Sequence, residues 1–391
     1  MEDVVVVSAA RTPLGSFHGA LSSVHAAKLG AIAIKAAVER AGIDPEIIDQ
    51  AFMGCVLPAG LGQAPARQAV RFAGLPEHVC ATTVNKVCGS GLRTVMLAAQ
   101  EIMCGNADVV IAGGMENMSQ TPYALAKART GYRMGNGALE DLMVKDGLWD
   151  PYGDQHMGKY AEKCAAEHGI SRERQDDFAV ESYKRALRAA AEGAFEDEIV
   201  PVEVPQRKGD PIVVDVDEEP QRFNEGKMRR LRPAFVKDGT VTAGNASSIN
   251  DGAAALVLMS ASKAAELGLT PMAKIGAMAS HANPPEWFTT APAYCVDKAL
   301  AKAGLKASDI DLWEVNEAFS VVALFTQDHC GYSASDCNVN GGAVAIGHPI
   351  GASGARIFVT LLYEMRKRDA KRGLATLCIG GGEAVAVIAE R

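Results

Sequence analysis

Apolar residues along the chain follow two alternating rhythms. Short β-branched runs, Val4-Val5-Val6-Val7, Thr82-Thr83-Val84 and Val109-Val110-Ile111, have the composition of strands. Between the last two, Leu92, Val95, Met96, Ala99 and Ile102 recur at roughly helical spacing. Strands alternating with helices predict an α/β fold, with mainly parallel sheets covered by helices.

The pattern occurs twice. Ala37-Val38-Glu39-Arg40-Ala41-Gly42-Ile43, continuing to Ile48-Asp49, is echoed by Ala299-Leu300-Ala301-Lys302-Ala303-Gly304-Leu305, continuing to Ile310-Asp311. Each reads as an amphipathic helix, a glycine stop and a lead into a strand. Val84-Asn85 returns as Val339-Asn340, and the run from Val109 to Glu116 returns as Ala375 to Glu383. Their shared order predicts two similar halves, about 1–118 and 250–391. The stretch 119–249 differs: two polar helical patterns (157–168 and 173–193) and a charged run mark it as an inserted loop domain. Its basic cluster, Lys227, Arg229, Arg230 and Arg232, suits ligand phosphates or a solvated surface with local ion pairs equally well.

Composition narrows the function. The 391 residues carry a net charge of −8, which argues against a nucleic-acid partner because no positive excess exists to displace counterions. No apolar run is long enough to span a bilayer, and the chain enters a strand without a signal or transit pattern, so it is expected in the cytoplasm with no membrane partner. Nine cysteines without a C-x-x-C pair predict reduced thiols.

One of them has a distinctive setting. In N-K-V-C-G-S-G-L-R, Cys88 falls between a strand and a helix, where free N–H groups and the helix dipole favour a thiolate. If the halves stack about a pseudo-two-fold axis, His348 (in G-H-P-I-G-A-S-G) and Cys378 (in C-I-G-G-G-E-A) converge on it. An imidazole can activate the thiol, a second cysteine can move a proton, and Asn316 and the N–H groups of 380–382 can hold a developing oxyanion. These parts suit acyl transfer through a thioester enzyme intermediate. Each part also has a plainer reading: a turn histidine, a capping asparagine, a glycine turn, or zinc ligands without usual zinc spacing. A phosphate loop fails because the Lys-Ser/Thr ending is absent.

Read in order, N-K-V-C-G-S-G, A-G-G-M-E-N-M-S, D-G-L…H-M-G, T-A-G-N-A-S, N-D-G-A-A-A, V-N-E-A-F-S, N-G-G-A-V-A-I-G-H-P-I-G-A-S-G-A-R and C-I-G-G-G resemble the thiolase family from end to end, most closely its short-chain biosynthetic type. The resemblance implies a five-layered αβαβα fold of two similar halves with an inserted loop domain, assembled as a homotetramer. It implies reversible Claisen condensation of two acetyl-CoA to acetoacetyl-CoA and CoA, with coenzyme A as substrate and product and no cofactor required for the chemistry. Cys88 matches the nucleophile, His348 its base, and Cys378 the acid/base acting on the second acetyl-CoA. Asn316 matches the holder of an oxyanion-hole water, and Gly380 and Cys88 supply the other oxyanion N–H groups. For the acyl-CoA, His156, Met157 and Ser247 match pantetheine and acyl contacts, as do Leu148, Ala243 and Phe319. Tyr183 stands where many bacterial members carry glutamine, which resembles potassium-activated mitochondrial members. The matching ion ligands are Tyr183 with main-chain oxygens near Ala243, Gly244, Ala246 and Val344, against a reading in which Tyr183 only packs. The segment 124–142, with Arg129 and Arg133, resembles the family's tetramerisation loop. The alternatives are a degradative 3-ketoacyl-CoA thiolase of broader chain length and a non-catalytic acyl-CoA or lipid-binding relative. Cys378 argues against the ketoacyl synthases.

Overall fold

The computed structural model describes residues 2–391. In the first half the core elements are β1 (Val4–Arg11), α1 (Ala26–Ala41), β2 (Gln50–Gly54), α2 (Pro65–Phe72), β3 (Cys80–Val84), α3 (Ser90–Met103) and β4 (Val109–Asn117). Two inserted helices follow, α4 (Met157–Glu167) and α5 (Arg172–Ala191), close to the polar helical patterns. Then come β5 (Asn250–Ser260), β6 (Ala273–Ala282), α6 (Ala291–Ala303), β7 (Leu312–Val315), α7 (Ser320–Cys330), α8 (Ser353–Arg368), β8 (Arg372–Ile379) and β9 (Glu383–Glu390).

The repeat is real in space. Strands run β1-β5-β4-β2-β3 in one half and β6-β9-β8-β7 in the other, the same order by position in each unit. The echoed helices α1 and α6 stop identically: Gly42 and Gly304 take left-handed φ of 65° and 67°, which glycine adopts without a Cβ penalty.

Two expectations change. The sheets are mixed, not mainly parallel: β2/β3, β2/β4 and β7/β8 are parallel, but β5 and β9 pair antiparallel with both neighbours. The reason is plain in the second half, where β8 and β9 are joined by three glycines, a connection only an antiparallel pair permits. In the first half the inserted segment occupies this same β4-to-β5 connection. Accordingly Asn250–Ser260 lies between β1 and β4 in the first half's sheet, although the sequence-based boundary at 250 assigns it to the second.

Packing defines five layers. Helices α1 and α2 cover the outer face of the first sheet, with Leu29, Ile34, Ala66 and Val70 in one core. Helices α6 and α7 cover the second through Val296, Ala299 and Ala323. Between the sheets lie α3 and α8, whose Leu92, Val95, Phe358 and Leu361 share a core with Leu256 and Val385. The two sheets touch at β1/β6 through only two residue pairs, Val5–Lys274 and Val6–Ala273. Among the described residues no helix is long and apolar enough to cross a membrane, and all nine cysteines are free thiols.

The middle helices cross backbone to backbone. A Cβ at Gly91 would stand 2.5 Å from Ala355 N, and one at Gly354 would stand 2.3 Å from Leu92 N. No side-chain rotation relieves a clash with main chain. Gly354→Val is therefore expected to lower stability by about 1–3 kcal/mol through overpacking, read as a lower thermal midpoint. An unchanged midpoint contradicts this account of the crossing.

Candidate active site

Cys88 sits on an elbow between β3 and α3. Asn85 Oδ1 accepts from Val87 N at 3.0 Å, and Ser90 Oγ accepts from Lys86 N at 2.8 Å while donating to Val87 O at 2.7 Å. This bracing holds Val87 at φ 46°, a left-handed conformation costly for a β-branched residue. The elbow presents Cys88 to a cavity of about 460 Å³. Burial pushes the thiol up to about 11, outweighing the hydrogen bonds of its own N–H and that of Gly380. The helix start alone therefore does not deliver the expected thiolate.

His348 faces the same cavity from the second half. Its Nδ1 lies 2.6 Å from Ser353 Oγ, and Ser353 Oγ donates to Pro349 O at 2.9 Å. A hydroxyl has one proton, and Pro349 O can only accept, so Nδ1 must be the donor to Ser353. That fixes the tautomer: Nε2 carries the lone pair, and it has no partner in the protein. Burial, aided by the Arg356 charge, lowers the imidazole's pKa to about 3. The result is a neutral ring with a bare basic nitrogen.

Cys378 is the penultimate residue of β8 and is fully buried. Burial first, then the neighbouring Cys88 charge, raises its thiol well above the ordinary value. Asn316 follows β7, anchored by its N–H to Thr376 O at 3.0 Å. Its side chain is 1 % exposed, and neither Oδ1 nor Nδ2 has a protein partner. A buried amide so left is a place for water or a ligand oxygen. Gly380 lines the cavity, and Gly381 and Gly382 adopt φ of 87° and 93°.

The remaining expected residues divide. Leu148, His156, Met157, Ala243, Ala246, Ser247 and Phe319 line the cavity with Cys88, His348 and Gly380, whereas Cys378 and Asn316 are not part of that lining. Tyr183 and Val344 pack in an adjoining cluster with Met228 and Phe223, where Tyr183 stacks on Phe223 at 4.6 Å. Nearby, the carbonyls of Ala243, Gly244 and Ala246 accept no hydrogen bond among the described residues. Arg229 is taken up by Asp177 at 2.8 Å and Glu225 at 3.0 Å, and Arg222, not the 227–232 cluster, is the cavity's cation. Sequence reading missed Phe235, which stacks on His156 at 4.8 Å, and Phe288, 6.2 Å from Phe319. Both lie outside any repeated motif, so only the shared wall exposes them.

Fold and site together define a two-half α/β acyltransferase whose candidate reactive groups come from both halves. Comparison with known proteins gives the family. Residues 4–262 match the thiolase N-terminal domain and 269–391 the thiolase C-terminal domain. The chain is 56% identical over 392 residues to an acetyl-CoA acetyltransferase of Cupriavidus necator, with all of both chains covered. It is 55% identical to acetyl-CoA acetyltransferase 2 of Arabidopsis thaliana, covering 99% of this chain and 97% of that one. The solved acetyl-CoA acetyltransferase of Syntrophomonas wolfei superposes with a TM-score of 0.97 at 42% identity over the full length of both. The chain belongs to the thiolase family.

The electrostatics predict a pH profile. Below about pH 11 the thiol is neutral in the free protein, and His348 stays unprotonated above about pH 3, so no imidazolium–thiolate pair forms. Alkylation of Cys88 by iodoacetamide should rise continuously from pH 7 to 10. A plateau already reached by pH 7 would contradict this.

Proposed function

We propose that this protein is a cytoplasmic acetyl-CoA C-acetyltransferase that condenses two acetyl-CoA to acetoacetyl-CoA and CoA, and catalyses the reverse cleavage. The observation that carries the reading is the bare Nε2 of His348 facing the cavity that holds Cys88, with Cys378 beside that thiol. In the first half-reaction His348 takes the Cys88 proton as sulfur attacks the acetyl carbonyl. The C–S bond to CoA breaks, and the leaving thiolate takes a proton from Cys378. This leaves acetyl-Cys88, an imidazolium at His348 and a thiolate at Cys378. An acetylated Cys88 cannot ionise and so cannot oppose a charge on Cys378, and the imidazolium adds an opposite charge that favours that thiolate.

In the second half-reaction Cys378 takes a methyl proton from the next acetyl-CoA. The carbanion attacks the acetyl carbonyl, and Cys88 leaves as a thiolate that recovers its proton from His348. All three groups return to their starting forms. The N–H groups of Cys88 and Gly380 are suited to the tetrahedral oxyanion, and Asn316, through a water, with His348 to the enolate oxygen.

The inserted segment 119–249 serves this chemistry as the acyl-CoA wall. Leu148, His156, Met157, Phe235, Ala243 and Ser247 come from it, and the Phe319 and Phe288 rings pack against its Met157 and Phe235 in one apolar cluster. Met157 Cε lies 3.8 Å from a Cβ placed on Gly380, so this side chain stands beside the proposed oxyanion donor. The Tyr183 cluster with the free carbonyls of Ala243, Gly244 and Ala246 suits a potassium ion, which would brace the cavity wall and not enter the chemistry. The apolar side chains of the segment 124–142, with Met134 99 % exposed and Leu139 64 % exposed, fit burial in a homotetramer.

Purified protein should cleave acetoacetyl-CoA with CoA at least tenfold faster than a long-chain 3-ketoacyl-CoA; comparable long-chain cleavage would assign it to the degradative thiolases. Replacing sodium by potassium should raise activity or lower the apparent KM, and equal kinetics in both salts would refute the ion site. Light scattering should give a tetramer mass, and a dimer mass at micromolar concentration would refute the assembly.

A further inference from the structure

Glu116 is a fully buried carboxylate in no contact with the cavity. It is the penultimate residue of β4, in the first half, and receives four donors. Oε2 accepts from Val56 N at 2.9 Å and Gly351 N at 2.9 Å; Oε1 accepts from Leu57 N at 3.1 Å and faces Cys55 Sγ at 3.6 Å. Three of these donors belong to the 55–57 loop of the same half. The fourth belongs to the 348–351 loop of the other half, three residues from His348.

The surroundings are shaped for that crossing. A Cβ on Gly54 would stand 2.4 Å from Gly351 O, and one on Gly114 would stand 2.1 Å from it. A Cβ on Gly351 would stand 2.4 Å from Glu116 Oε2. Two bare glycines thus form a socket for the Gly351 carbonyl, and Glu116 holds the N–H of the same residue. At the loop's other end Asn250, also from the first half's sheet, accepts from His348 N at 3.0 Å. The loop carrying the base is therefore pinned at both ends by side chains of the half that carries the nucleophile.

We propose that Glu116 is a positioning residue for the reaction: by binding Gly351 N and the 55–57 loop at once, it sets His348 Nε2 against Cys88 across the junction of the halves. The proposal rests on the reading of His348 as the base. Burial pushes this carboxyl up to about 7, but four donors aimed at its two oxygens favour the ionised form; a glutamine would aim an amide N–H at one of them. Displacing a reacting group by about an ångström costs on the order of a hundredfold in rate while leaving substrate binding largely alone.

The test compares Glu116→Gln, Glu116→Asp and His348→Ala in CoA-dependent cleavage of acetoacetyl-CoA, alongside iodoacetamide alkylation of Cys88 at fixed pH. Glu116→Gln should lose about a hundredfold in kcat with KM within about threefold of the parent, and its Cys88 should be alkylated as slowly as in His348→Ala. Glu116→Asp, which keeps the charge but draws it back by one methylene, should recover part of kcat; it decides the matter alone if the glutamine variant does not fold. A folded variant with kcat within twofold of the parent, while His348→Ala is inactive, overturns the positioning role only. A parallel rise in KM and fall in kcat also overturns it, as the mark of a general structural defect. Turnover retained in His348→Ala overturns the base reading and this proposal with it.

Discussion

The structure depends on main chain meeting main chain where the two halves join. Helices α3 and α8 touch through Gly91 and Gly354, and the 348–351 loop enters the first half between Gly54 and Gly114. Interiors are packed too densely to absorb even one added methyl at such points. This closeness is what lets a thiol on one half share a cavity with an imidazole on the other. The duplication supplies two similar sheets, but it is the approach of their middle layers that makes a site between them.

A second constraint is electrostatic. Burial drives each of the three candidate groups towards its neutral form: Cys88 up to about 11, Cys378 well above the ordinary thiol value, and His348 down to about 3. Such a trio stores no charge at rest and, on the proposed mechanism, passes protons only when a thioester carbonyl is present to receive the sulfur. The N–H groups of Cys88 and Gly380 rest against the Cys88 sulfur, and the Asn316 amide has no protein partner, so in the proposed reaction their stabilisation can pass to the charge that develops.

Much of this is legible in the sequence, and the rest is hidden for identifiable reasons. Glycine stops at 42 and 304 and the repeated Val-Asn at 84–85 and 339–340 expose the duplication because they are local signals. Cys88 is visible for the same reason, as a thiol between a strand and a helix. The antiparallel place of Asn250–Ser260 is hidden because its partners, Val4–Arg11 and Val109–Asn117, lie beyond the long insertion. The raised thiol pKa is hidden because burial is a tertiary property that here overrides the favourable helix start. Glu116 reads as an ordinary acidic residue at a strand end, since the amides that claim it come from two distant loops. Phe235 sits in a polar stretch and shows its purpose only when stacked on His156.

Central to the account is the covalent step at Cys88, and trapping it is the most direct measurement. Protein mixed with acetyl-CoA, quenched in acid and digested should yield an acetyl group on the peptide containing Cys88 and on no other cysteine peptide, and His348→Ala should abolish it. Acetylation of Cys378 in place of Cys88, or turnover in a Cys88→Ser variant with no acetylated intermediate, would contradict the account.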